Sequence, residues 1–358
     1  MNEIINSQKN SLGISDFLNS AKQYTSEAFP EMSIDELFTS SINGKINKSY
    51  LFSGISNILN NEIKLAIQLM VSVLIVVIIH SIFKSIIDSL ENGTSSKIAY
   101  FVQYLIIVTL VVNTFISILD ITKESIQNII NFMNLLIPLM ITLMLTTGCI
   151  VSSSIVQPIL LFVINFIGNF INTFIIPLLL ISITLGIISN ISDKIQVEKL
   201  SKILKSSIIW ILGIVLTIFT CILSIEGTLS SSVDGLTSKT AKAAVSNFIP
   251  VVGKIMGDSV ETVIGCGNIL KNSVGVIGVI IIIGIVAIPI IKIVVLWISF
   301  SLTSAVCEVV ADTKIVKLIS QIADSYKILC AILVSVSVMF IIGITLVIKI
   351  TNSSLMYR

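Results

Sequence analysis

The segment around which this chain is organised is residues 226–272, with the sequence EGTLSSSVDGLTSKTAKAAVSNFIPVVGKIMGDSVETVIGCGNILKN. It is the longest polar interruption in a mostly apolar chain, and its Ser, Thr, Lys and Gly content is too high for a membrane span. The runs on either side are apolar and long enough to cross a bilayer. The segment therefore divides the membrane-spanning part of the chain in two.

The apolar residues of this segment recur at helical spacing. Ala241, Ala244, Val245 and Phe248 share one helix face, and a second apolar pattern follows Pro250. Proline disfavours helix at the residue before it, so the two patterns are separate. We predict two short amphipathic helices that lie on the membrane surface or pack over the bundle. The alternative is a structured extracytoplasmic loop with no chemistry of its own.

The composition is that of an integral membrane protein. Of 358 residues, 54% are apolar and 12% are charged, and the mean hydropathy is +1.03. The net charge is +2 with no basic stripe, and arginine occurs only at Arg358, so we expect no nucleic-acid partner. The five cysteines have neither disulfide nor metal-ligand spacing.

We predict an all-α, polytopic helical bundle with about eight spans (seven to nine) and four regions. Residues 1–63 form a polar tail with short amphipathic helices, one with Ile14, Phe17, Leu18 and Ala21 on its apolar face. Residues 64–225 form a first membrane bundle, 226–272 the amphipathic extracytoplasmic segment, and 273–358 the C-terminal spans.

The individual spans follow from apolar runs of about 20 residues. Clear spans lie near 65–83, 98–119, 129–147, 207–225 and 329–348, with a short turn at Asp120, Lys123 and Glu124. Two runs are ambiguous. Residues 155–188 predict a helical hairpin or a re-entrant pair. Residues 274–310 predict one tilted span with an interfacial extension, or two short spans.

Lysines in the short loops predict the orientation. With the N-terminus outside, nine lysines lie in or beside the cytoplasmic loops, against Lys123 alone in the short outer loops. We therefore expect both termini and residues 226–272 to face outside.

A few polar residues lie inside the apolar runs. His80 is either a proton-relay group or a packing and interfacial residue. Lys292 is either a functional group paired with Glu308 or Asp312, or a side chain that extends to the interface near Trp297.

Three asparagines share one helix face in the ambiguous run. Asn165, Asn169 and Asn172 either line a polar path or hold neighbouring helices together by hydrogen bonds.

No motif for catalysis or for a cofactor occurs. The sequence has no phosphate-binding glycine-rich loop followed by lysine, and a single histidine cannot supply a zinc site of several histidines. We expect no enzyme activity, no cofactor and no metal.

Residues 226–242 and 247–262 resemble the stage III sporulation protein AE family of endospore-forming bacteria, and the hydropathy plan matches from about residue 65 onward. Members commonly begin with a secretory signal. None is visible here, so this chain inserts differently or its start differs.

The resemblance implies a role and a set of partners. The family sits in the mother-cell-derived membrane around the forespore and joins the other products of its operon, which include ring-forming proteins and a secretion-type ATPase. Together with a forespore membrane protein they form a trans-envelope channel that supports forespore development. The family has no established catalytic residues.

The resemblance and the residue pattern together define a docking hypothesis, in which residues 226–272 meet ring-forming proteins or plug the conduit. The candidate docking residues are Lys239, Lys242, Phe248, Pro250, Lys254, Asp258 and Glu261. The alternatives to a channel subunit are a purely structural scaffold of the same complex and a self-contained permease for a small metabolite.

Overall fold

The structure is a computed structural model that describes residues 9, 11–25, 34–42, 48–88, 93–191, 197–248 and 252–356. Side chains are described for fewer residues, and those of 48–58, 226–248, 252–263 and 351–356 are not among them. Every regular element in the described ranges is helical. In chain order these are α1 Ile14–Thr25, α2 Ile34–Ile42, α3 Lys48–Asp88, α4 Gly93–Thr146, α5 Ile150–Phe170, a π-helical turn Ile171–Ile175, α6 Ile176–Ile191, α7 Glu198–Phe248, α8 Val252–Cys307 and α9 Thr313–Met356.

Six helical stretches in the described residues are long and apolar enough to cross a membrane. They are Leu59–Ile79, Tyr104–Thr146, Ile150–Asn190, Glu198–Ile225, Ile264–Cys307 and Thr313–Ile350. This agrees with the predicted polytopic helical membrane protein. The predicted count of about eight spans is not confirmed.

The predicted turn at Asp120, Lys123 and Glu124 is absent, because α4 continues through it. Residues 104–137 contain neither glycine nor proline, so nothing in the local sequence ends the helix there. The second and third predicted spans are therefore two parts of one helix.

The predicted hairpin in residues 155–188 is likewise one continuous helical stretch, α5 to α6. The π-helical turn Ile171–Ile175 joins the two parts. Pro177 follows the π-helical turn and has no N–H to donate to the Thr173 carbonyl. The missing α-helical hydrogen bond accounts for the wider, π-helical turn at this point. In residues 274–310, helix α8 continues through Pro289 and ends at Cys307, so they contain one helix and not two.

The helices that flank residue 250 are longer than predicted. Helix α7 is described to Phe248 and α8 from Val252, and Pro250 lies outside the described residues, so the helix break predicted there stays a prediction. However, the two amphipathic patterns are not short separate helices. Each is continuous with a neighbouring span.

Two hydrogen-bonded contacts show how α4 and the α5–α6 stretch run relative to each other. Asn134 with Asn165 and Tyr104 with Ile187 show that α4 runs antiparallel to the α5–α6 stretch. At one end of the bundle, the Ser81 hydroxyl donates to the Val310 carbonyl at 2.8 Å. The first parts of α7 and α9 lie toward this end and are joined there by the Lys205 ammonium, which donates to the Gln321 carbonyl; they carry Lys199, Lys202, Lys205, Lys314 and Lys317. We call it the lysine-rich end. The predicted orientation across the membrane stays a prediction.

The N-terminal helices pack on the bundle instead of standing apart from it. The predicted apolar face of α1 is buried, with Ile14, Phe17, Leu18 and Ala21 each at most 6% exposed. The rings of Phe17 and Tyr24 lie 6.0 and 5.8 Å from the ring of Phe132 on α4. Helix α1 is thereby fixed against the middle of α4.

Small residues allow close approach of the long helices. A Cβ on Gly275 or Gly278 would meet Ile348 or Leu136, and one on Gly168 would meet Ile130. Gly213 on α7 is different, because a Cβ there would meet nothing within 4 Å. The buried glycines therefore hold α4, α5, α8 and α9 at short distances.

We expect Gly168→Leu to lower the free energy of unfolding by about 1–3 kcal/mol, because the new side chain overlaps Ile130. The matched control is Gly213→Leu, which points into open space and should change stability by less than about 0.5 kcal/mol. Denaturation of both purified variants in detergent, followed by circular dichroism, provides the comparison. Equal stability of the two variants would contradict the packing role of Gly168.

Candidate functional site

A polar cavity of about 560 Å³ lies where α1, α4 and α8 meet. We call it the central cavity. Its polar lining residues are Gln23, Tyr24, Glu124, Ser125, Asn128, Asn131 and Lys292. Ile121, Gly284, Ile285, Ile288 and Pro289 complete the wall. Its volume is in the range of small-molecule sites, but its lining is more polar than is usual for them.

Helix periodicity places the polar groups together. On α4, residues 121, 124, 125, 128 and 131 recur at spacings of three and four, so one face of the helix carries them into the cavity. These are the residues next to the predicted turn. Because the helix does not break, Glu124, one of the three charged residues of the predicted turn, lies on the cavity wall.

The α8 wall contains a break in the helical hydrogen-bond ladder. Pro289 has no N–H, so the carbonyl of Ile285, another lining residue, lacks its usual helical donor. Gly284, at the start of this wall, adds no side chain. The helix beside the cavity therefore lacks one backbone hydrogen bond at this point.

Lys292 pairs with Glu62 of α3 at the edge of the central cavity. The Nζ to Oε1 distance is 3.5 Å, and the two side chains are 28% and 17% exposed. Both charges are thus largely removed from water and partly compensate each other. Glu62 was not among the residues singled out from the sequence.

The predicted pairing of Lys292 with Glu308 or Asp312 is not seen. Glu308 follows the end of α8, sixteen residues after Lys292, which corresponds to about 24 Å along a helix. Glu308 is exposed in the α8–α9 connection. The carbonyl of Asp312 accepts from the N–H groups of Ile315 and Val316, at the start of α9.

The three predicted asparagines have different surroundings. Asn165 and Asn134 form a reciprocal amide pair between α5 and α4, with Nδ2 to Oδ1 distances of 3.0 and 3.2 Å. Asn169 is exposed. Asn172 is half-buried, and its buried Oδ1 has no hydrogen-bond partner among the described residues. They do not line the central cavity.

Several predicted residues lie outside what the structure describes. The side chain of His80, on α3, is one of them. Of the docking candidates, Lys239, Lys242 and Phe248 fall within α7 and Lys254, Asp258 and Glu261 within α8, but their side chains are outside the described residues. Pro250 is not described at all.

A second polar cluster lies toward the lysine-rich end and was also missed. The Lys205 ammonium donates to the Gln321 carbonyl at 2.8 Å, and the Asn190 amide donates to Gln321 Oε1 at 3.1 Å. Next to it, Ser182 and Ser201 donate to each other's carbonyls at 2.9 and 2.7 Å. These bonds join α6, α7 and α9. Their partners are up to 131 residues apart, so no local pattern shows them.

Among the described residues, no group of three or more His, Cys, Asp or Glu side chains is arranged to hold a metal ion. The lining of the central cavity offers one ammonium group (Lys292), one carboxylate (Glu124), amides and hydroxyls. These groups bind polar or charged molecules by hydrogen bonds and charge.

The helices and the polar cavity between them place the chain among the multi-pass membrane proteins. Residues 32–351 match the family described as Stage III sporulation protein AE, so the chain belongs to that family and has a role in sporulation.

One relative is the Stage III sporulation protein AE of Bacillus subtilis (strain 168). The two are 31% identical over 182 residues, which cover 51% of this chain and 46% of the relative. The chain thus matches about half the length of that curated relative. No solved structure matches it.

We expect Lys292→Met to lower the free energy of unfolding by about 1–3 kcal/mol, because Glu62 then remains largely buried without its counter-charge. The double variant Glu62→Gln/Lys292→Met removes both charges and should recover most of this loss. A double-mutant cycle on purified protein in detergent measures the coupling.

The matched control for this ion pair is Lys202→Met, because the Lys202–Glu198 pair is exposed, at 70% and 36%. We expect a change of less than about 0.5 kcal/mol there. If Lys292→Met alone were as stable as the double variant, the pair would not contribute to the bundle.

Proposed function

We propose that this chain is a membrane subunit of the trans-envelope channel between mother cell and forespore. The observation that carries the proposal is the match of residues 32–351 to a sporulation family. The resemblance to that family implies the location, in the mother-cell-derived membrane around the forespore. It also implies the partners, which are ring-forming proteins, a secretion-type ATPase and a forespore membrane protein.

The helix lengths support an interaction role for residues 226–272. Helix α7 continues to Phe248 and α8 begins at Val252, so both helices include part of the polar segment 226–272. The polar ends of two consecutive helices therefore approach the connection between α7 and α8 from both sides. Helical extensions of this kind present a surface to proteins outside the bilayer.

Deletion of the gene in its host tests the proposed function. We expect forespores that engulf normally and then shrink without expressing a late forespore reporter, as seen by fluorescence microscopy. Expression of the intact chain should restore both forespore volume and reporter. Normal spores accompanied by a defect in growth or uptake would overturn the proposal.

Lys239→Glu/Lys242→Glu tests the docking surface. A charge change of four at one site should weaken binding to a negatively charged partner, so we expect spore yield and co-purification of ring-forming proteins to fall at least about tenfold. Lys314→Glu/Lys317→Glu, at the lysine-rich end, is the control with the same charge change. Full partner recruitment by the first variant would contradict docking through these lysines.

A permease is the second candidate function, and the central cavity favours it. Intramembrane charges such as Lys292 are of the kind that transport paths use. Uptake of small metabolites by purified protein in liposomes, lost on Lys292→Ala, would support this function. No uptake, together with the forespore phenotype, would favour the channel subunit.

A structural scaffold of the same complex predicts a third outcome. Substitutions in the central cavity, such as Glu124→Gln, would then leave spore yield unchanged, whereas changes at docking surfaces would reduce it. That the chain is not an enzyme stays a prediction. The family description names a stage of development and no reaction.

A further inference from the structure

We propose that the exposed face of the α5–α6 stretch binds the same face of a second copy of this chain. We define this surface, the aromatic face, by Phe162, Phe166, Phe170, Phe174 and Asn169. The inference concerns self-association and does not depend on the proposed function.

Four phenylalanines form a continuous ladder along this face. Successive ring centroids are 6.0, 6.2 and 5.2 Å apart, and the interplanar angles are 17°, 11° and 20°. Phe162, Phe166 and Phe174 are 69%, 56% and 48% exposed. The ladder crosses the π-helical turn Ile171–Ile175 without interruption. It is a rigid surface, because each ring is held by its neighbours.

Asn169 lies on the same exposed face, in the middle of the ladder. The apolar stretch Ile150–Asn190 has 41 residues, and Asn169 is near its centre. At the centre of a membrane span, an amide side chain that faces lipid has no water to hydrogen-bond with, and leaving it without a partner costs free energy. One turn earlier, Asn165 meets the same requirement inside the chain by pairing with Asn134. Asn169 needs a partner from outside the described part of the chain.

A second copy supplies a complementary partner. Residues 150–191 contain no charged side chain, so the aromatic face offers a charged protein surface nothing to pair with. A primary amide is both donor and acceptor, and two of them form a reciprocal pair such as Asn134 and Asn165 form. A two-fold axis that passes near Asn169 would bring both amides together between the two phenylalanine ladders. In such a two-fold contact the same surface of each copy faces the other, so the assembly stops at a dimer.

Disulfide cross-linking of the full chain in membranes tests the proposal. Cys221 is the exposed native cysteine, so Asn169→Cys is introduced together with Cys221→Ser. With an added oxidant, we expect a band of twice the chain's mass that disappears on reduction. The control is Thr217→Cys in the same background, an exposed hydroxyl position on α7, which should give no dimer. A dimer from Thr217→Cys but not from Asn169→Cys would overturn the proposal.

Co-purification of two differently tagged copies measures the contribution of the amide. We expect Asn169→Leu to reduce the amount of the second copy that co-purifies by about threefold to tenfold, the effect of losing one interhelical polar contact in a membrane. Asn169→Gln keeps the amide and should retain part of the co-purification. Thermal denaturation of Asn169→Leu should be unchanged in detergent monomers, which separates association from folding. Unchanged capture, or a cross-link from Asn169→Cys to a protein of another mass, would contradict binding of a second copy.

Discussion

Backbone groups in apolar surroundings must find hydrogen-bond partners within their own helix, and the whole arrangement of this chain follows from that constraint. Helix α4 stays intact through three charged residues, and the α5–α6 stretch stays intact through a π-helical turn before Pro177. Hydroxyl groups follow the same rule. Thr109 and Thr142, for example, donate to the carbonyls four residues earlier, at 2.8 and 2.9 Å. Polar residues thus accumulate on helix faces and not in loops.

Where those faces meet, the polar groups must satisfy one another. Two neutral amides do so at Asn134 and Asn165, and two opposite charges do so at Lys292 and Glu62. The amide pair needs only hydrogen bonds, whereas the ion pair must also offset the loss of water around two charges. The ion pair borders the central cavity and the amide pair does not. The cavity is therefore the place in the described bundle where charge, polarity and space coincide.

The sequence predicted those features that a local pattern determines. Periodicity identified the buried face of α1, with Ile14, Phe17, Leu18 and Ala21. The turn at Asp120, Lys123 and Glu124 was wrong because charge was taken as a loop signal where no glycine or proline supports one. Lys292 was recognised from its apolar surroundings, but Glu62 was not, because the two are brought together by tertiary packing alone. The central cavity was missed for the same reason, since its walls come from three distant parts of the sequence.

The position of α1 has a consequence for the order of assembly. Neighbouring helices such as α4 and α5, or α8 and α9, are joined by short connections and pack as soon as each pair is synthesised. Helix α1 precedes both α4 and α8 in the chain and packs against both, and α8 is synthesised more than 200 residues after α1. The surface that α1 packs against is not complete until α8 has been synthesised. Helix α1 is thus made early but can reach its final position only late, and the wall of the central cavity is complete only then.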